Sequence, residues 1–174
     1  MFRSEEPDQR ERIMSNATQG RIEARLAEIG ISLPTPAAPV ANYVPFVRSG
    51  NLVIISGQIC LGPDGKIAPA HLGKLGDAVD EAAGREAARA CAINLLAQLR
   101  AAIGDLDAVT RVVRLGGFIN CLPDYGPVAQ VMNGASDMMV EVFGDVGRHA
   151  RSTIGVAQLP LDAAVEVEGM FEVR

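Results

Sequence analysis

The stretch ARSTIGVAQLPLDAAVEVEGMFEV, residues 150–173, decides how the rest of the chain is read. In its second half Val165, Val167, Phe171 and Val173 fall on one side of an extended chain, and Glu166, Glu168 and Glu172 fall on the other. Its first half is a run of small and β-branched residues with a single charged side chain, Arg151, and LPLD between the halves supplies a turn. Two strands therefore end the chain, and the last of them has one apolar face and one row of glutamates.

Working back from that tail, VAQVMNGASDMMVEVFG (128–144) repeats apolar residues at Val128, Val131, Ala135, Met138 and Val142, which predicts a helix stopped by Gly144. AVTRVVRLGGFIN (108–120) is a strand whose central Gly116 and Gly117 imply a bulge or the close approach of another group. DAVDEAAGREAARACAINLLAQLRAAI (77–103) is the clearest helix. Val79, Ala83, Ala87, Cys91, Leu95 and Leu99 line one face, Glu81 and Arg85 pair four apart outside, and the small residues predict close packing on a sheet.

Before these lie NYVPFVRS and NLVIISGQICL, separated by a glycine turn. The second is β-branched enough to read as a strand buried on both faces, and GPDGK then turns the chain as part of an antiparallel meander. GRIEARLAEIGI places Ile22, Leu26 and Ile29 at helical spacing and stops at Gly30, so residues 18–30 form an added N-terminal helix. The prolines of residues 32–42 make an extended linker, and the polar residues 1–17 read as a disordered tail, with Met14 an equally good start. Residues 18–174 are then one α+β domain, with helices on one sheet face. Nothing in the chain covers the other face, which copies of the chain would bury.

Composition limits the function classes. A net charge of −5 leaves no basic footprint for nucleic acid, so nucleic acid is not expected as a partner. There is no apolar stretch long enough to span a membrane and no signal-peptide centre, and Cys60, Cys91 and Cys121 are too scattered for a disulfide scaffold, which points to buried thiols in a reducing cytoplasm. Two histidines, His71 and His149, exclude a three-histidine metal site, and no Walker A, GxSxG or dinucleotide pattern falls at a strand-to-helix junction.

What remains is Arg151, whose planar fork suits a carboxylate, although from the residues alone a surface ion pair is the more ordinary reading. Glu166, Glu168 and Glu172 are either solvated or, where that face meets another subunit, include one glutamate able to handle a proton. Tyr43, Ser56 and Asn133 are weaker candidates, each with an ordinary structural explanation.

Together GNLVIISGQI, the alanine-rich helix, VMNGASDMMVEVFG, GRHARS and the closing stretch resemble the Rid family, also called YjgF-type or L-PSP endoribonuclease proteins, over residues 18–174, and within it a longer subgroup with an added N-terminal helix. The resemblance implies a chorismate-mutase-like α+β fold, a homotrimer and ligand clefts between subunits. It implies that Arg151 binds the carboxylate of a 2-imino or 2-enamino acid and that Glu166 positions or activates water. Tyr43, Ser56, Asn133 and the backbone amide of Thr153 would complete the cleft. Thr153 replaces the cysteine usual in the family's deaminases, and Gly155 stands where many have a glutamate.

The expected activity is cofactor-free and metal-free hydrolysis of such imines to 2-keto acids and ammonia. The alternatives are a non-catalytic trimeric binder of small carboxylates such as keto acids and, last, an endoribonuclease.

Overall fold

A computed structural model describes residues 20–37 and 42–174, so the tail at 1–17 and residues 38–41 of the linker lie outside the described residues. Eight principal elements run α1 (Arg21–Glu28), β1 (Phe46–Ser49), β2 (Leu52–Ile59), α2 (Glu81–Ile103), β3 (Val109–Asn120), α3 (Val128–Phe143), β4 (Ala150–Val156) and β5 (Val165–Val173). The five strands form one sheet in the order β1-β2-β5-β3-β4. Every pair is antiparallel except β3 with β4, which are parallel and joined through α3, as a parallel pair requires a crossover. The two closing strands are therefore not neighbours, because β3 lies between them.

Alternation builds the sheet as the tail predicts. Val165, Val167, Phe171 and Val173 are buried, whereas Glu166 and Glu168 are half-buried and Glu172 is exposed. The helices supply the matching surface: Ala87, Cys91, Leu95 and Leu99 of α2 and Val131, Ala135, Met138 and Val142 of α3 are all buried in one core. Full burial of each large aliphatic side chain contributes about 1.5–3 kcal/mol.

Three expectations change. First, α2 starts later than expected, at Glu81, because the Asp80 side chain caps it by accepting from the Ala83 amide at 2.8 Å. Arg85 pairs across to Asp137 of α3 at 3.0 Å, since the two helices pack side by side and a partner on the next helix is in reach. Second, β2 is buried on one face only: Val53 and Ile55 are buried, but Ile54 between them is 42 % exposed because both helices lie on the other side. Third, the meander is cut short, for between β2 and α2 the chain makes isolated bridges and no further strand: Leu61–Ile67 closes the GPDGK turn, and Leu72–Ala163, Leu75–Val79 and Leu75–Cys121 follow.

The added N-terminal helix is present, with Ile22 and Leu26 buried. Its first amides find their acceptors far away in sequence: Arg21 and Ile22 donate to the Asp107 carboxylate at 2.7 and 2.8 Å. Arg25 donates to the Glu141 carbonyl of α3 at 2.9 Å, so α1 braces the helical layer.

One buried polar residue ties the loops together. Asn120, fully buried at the end of β3, accepts from Lys74 at 2.7 Å and donates to the carbonyls of Gly73 and Ala163 at 3.2 and 3.1 Å. This joins the segment after β2 to the β4–β5 connection, where Leu161 and Asp162 hold left-handed backbone angles. Asn120→Ala strips these groups of their partner inside the fold. We expect a stability loss of about 3 kcal/mol, read as a lowered urea midpoint with an unchanged slope.

Candidate functional site

The site is set by which face of the sheet each strand residue takes. Leu115 of β3 is buried under the helices and pairs across with Arg151 of β4, so Arg151 points toward the helical layer. There its Nη1 donates to Asn133 Oδ1 at 2.9 Å and to Ser136 Oγ at 3.1 Å, and Nη2 donates to the Ala129 carbonyl at 3.4 Å. Residues 129, 133 and 136 occupy one face of α3 at four- and three-residue steps, which is why one guanidinium reaches all three. Nε makes no hydrogen bond among the described residues, and Nη2 makes none there beyond that to Ala129. These two donors form one edge of the fork, the geometry that grips a carboxylate bidentately.

Arg151 also has no carboxylate within ion-pair distance among the described residues, unlike Arg85, Arg89, Arg100 and Arg114. Among the described residues, the surface ion pair left open by the sequence is not formed. Thr153, two residues on and facing the same way, has a buried hydroxyl without a partner among the described residues. Ser136 and His149 join this cluster unannounced by the sequence reading: Ser136 Oγ lies 3.0 Å from His149 Nε2. The signals were there in the spacing, since Ser136 is three residues from Asn133 on a helix and His149 two residues from Arg151 on an extended chain.

Glu166 lies on the opposite face. It pairs across with Phe118 of β3 and Ile59 of β2, in the row that carries the exposed Ile154. Its carboxyl group lies against Gly57, where any side chain would collide with it, and the Glu168 carboxyl similarly occupies the space above Gly116. The central glycines of β3 thus mark close approach. Burial first, and the Glu168 charge second, push the Glu166 carboxyl above its ordinary range, while Glu168 is paired with Arg114 at 3.2 Å.

Ser56 sits on β2 at the bulge between Ile55 and Gln58 and donates to the Val44 carbonyl at 2.8 Å, which fixes the exposed Tyr43 segment beside that strand. The predicted residues therefore fall into two groups. Arg151, Asn133 and Thr153 gather at the β4 edge on the helical side, while Glu166, Ser56 and Tyr43 belong to the β5–β2 side. Three strand spacings separate β4 from β2, or about 14 Å. A small ligand cannot touch both groups within one copy of the chain.

A cavity of about 470 Å³ between Leu33, Pro34, Leu61, Pro63 and Ile93 contains none of these residues. No group of three potential metal ligands occurs among the described residues, and no described helix is long and apolar enough to cross a membrane.

A mixed five-strand sheet with its helices on one face is the chorismate-mutase-like α+β class. The chain belongs to the family described as "YjgF/chorismate_mutase-like, putative endoribonuclease", whose pattern matches residues 23–172. It is 47 % identical over 162 residues to Protein TCP17 of Trypanosoma cruzi, covering 92 % of this chain and 99 % of that one. The crystal structure of Atu1372 from Agrobacterium tumefaciens, a protein of unknown function, is 45 % identical with a TM-score of 0.80 and covers 88 % of this chain and 94 % of that one. A 2-iminobutanoate/2-iminopropanoate deaminase of Dermatophagoides farinae is 30 % identical over 144 residues, covering 83 % of this chain and 95 % of the relative.

The raised Glu166 pKa has a definite sign. The folded chain holds this proton more tightly than the unfolded one, so the charged carboxylate costs stability that appears as pH rises above its ordinary value near 4.5 and is complete above the folded value. Glu166→Gln is expected to raise Tm at neutral pH, with the gain shrinking to nothing as pH falls below that ordinary value, in thermal melts across the acidic range.

Proposed function

We propose that this protein hydrolyses 2-imino acids, and their enamine tautomers, to 2-keto acids and ammonia, at sites formed between copies of the chain in a homotrimer. The observation that carries the proposal is the division of the candidate residues into two half-sites on opposite faces of one sheet. An arginine edge ready for a carboxylate and a glutamate that retains its proton unusually well meet only if the open face of one copy abuts the β4 edge of another. The deaminase relative lends the reaction class.

In this reading Arg151 holds the substrate carboxylate through its unoccupied edge. An enamine substrate first takes a proton at carbon to become the imine. Glu166 of the adjacent copy orients a water whose oxygen bonds to C2. One proton of the water passes through the carboxyl group to nitrogen, giving the carbinolamine; the remaining hydroxyl proton then follows the same route as the C=O bond forms and the C–N bond breaks, so that ammonia leaves the keto acid. Because imines already hydrolyse in water, positioning and proton transfer suffice, and no cofactor enters the scheme. Thr153, Ser56, Asn133 and Tyr43 shape the cleft. The reaction would proceed in the cytoplasm, where amino-acid-derived imines arise.

The family description also names endoribonuclease activity, but the chain's net charge of −5 offers little to a polyanion. Thr153 and Gly155, both facing the Arg151 side, are where substrate preference would depart from the cysteine- and glutamate-bearing deaminases.

The test generates 2-imino acids with an amino-acid oxidase beside semicarbazide and follows semicarbazone formation. The wild-type protein lowers it, and Arg151→Ala and Glu166→Gln each abolish the effect. Mixing the two inactive variants through unfolding and reassembly restores about a quarter of wild-type activity, the share of contacts that pair an intact arginine with an intact glutamate. Activity absent in the wild type for every amino acid tried, with 2-keto acids still raising Tm, would leave carboxylate binding alone. Absence of complementation would place both residues in one copy's site and remove the shared-site reading.

A further inference from the structure

Arg151 is held at Nη1 by a serine hydroxyl, and a hydroxyl is an ambiguous partner because its own proton can rotate toward the guanidinium and oppose it. His149 removes that ambiguity. Its Nδ1 lies 2.7 Å from the Gly147 carbonyl oxygen, which can only accept, so Nδ1 carries a hydrogen. In the neutral imidazole Nε2 is then the acceptor, and it lies 3.0 Å from Ser136 Oγ, which must donate to it. With its proton drawn away, Ser136 Oγ presents lone pairs to Arg151 Nη1 at 3.1 Å. Burial, helped by the Arg151 charge, outweighs the hydrogen bond to Gly147 that favours the charged ring, and His149 is held below its ordinary pKa, toward this neutral form.

We infer that His149 is a positioning residue. Through Ser136 it polarises a one-way chain of hydrogen bonds, Arg151 to Ser136 to His149 to the Gly147 carbonyl, that locks the guanidinium with its Nε–Nη2 edge turned out for the ligand. Asn133 supplies the second neutral acceptor at Nη1, so the head group is oriented on one side without losing its charge to a carboxylate. The inference rests on the reading of Arg151 as the carboxylate anchor, and it assigns Ser136 and His149 to the same site. Gly147 and His149 belong to the turn between α3 and β4, so the relay also couples the anchor to that turn.

The experiment has two arms on the full-length protein. In the first, NMR of the ¹⁵N-labelled chain reads the rotation rate of the Arg151 guanidinium, a quantity that exists whether or not any substrate is turned over. Ser136→Ala and His149→Leu speed that rotation severalfold. His149→Gln, whose side-chain oxygen can accept where Nε2 does, restores the slow rate. In the second arm, imine hydrolysis by His149→Leu shows KM raised about tenfold with kcat within twofold of wild type, the signature of weakened binding common to ground and transition states, and Gln again rescues it. Rotation in His149→Leu equal to wild type, or a Gln variant no better than Leu, would overturn the relay. A slow rotor freed by these substitutions in a protein with no imine turnover would uphold the relay and discard the deaminase reading instead.

Discussion

Two helices in one layer can bury only one face of a five-strand sheet, and the arrangement of the candidate site follows from that limit. Adjacent residues of a strand point to opposite faces, so the alternation that buries Val165, Val167 and Phe171 beneath α2 and α3 forces Glu166 and Glu168 outward. The same pairing, carried across β3, turns Arg151 inward toward α3. Had the register of β4 slipped by one residue, the arginine would have joined the glutamates and formed an internal ion pair. The sheet instead keeps the two side chains apart, on opposite faces.

The surroundings of the two charges differ in kind. Arg151 is oriented by an amide oxygen, a hydroxyl and a backbone carbonyl, all neutral, so its direction is set while its charge remains available. Arg114, by contrast, is paired with Glu168 beside it. Glu166 has no such cation among the described residues and lies in a half-buried pocket next to a like charge, against Gly57. Neutral acceptors around a cation and desolvation around an acid are the environments that leave each group with unspent interaction energy.

The fold was largely legible in the chain because periodicity reports burial directly. The alternation of residues 165–173 and the helical repeats of residues 81–103 and 128–143 survive in the structure with only their ends altered. Ends moved where a cap decided them, as Asp80 did for α2. The burial of β2 on both faces was misread because Ile54 resembles its neighbours Val53 and Ile55 in composition, and only the absence of a second helical layer exposes it. The family resemblance pointed to Arg151, Glu166 and Asn133, and the geometry joins the first and third while separating the second. Ser136 and His149 escaped notice because their spacing from Asn133 and Arg151 becomes a signal only once those two residues are known to meet.

The sequence by itself determined most of the elements, the apolar face of the last strand and the isolation of Arg151 among small residues, since these depend on spacing along the chain. Only the tertiary structure decided that β3 would lie between the two closing strands, that Asp107 would cap α1, and that Ala129, Asn133 and Ser136 would converge on one guanidinium. Those contacts join residues far apart in sequence, and their partners are chosen by which surfaces pack together and not by any preference the residues carry alone.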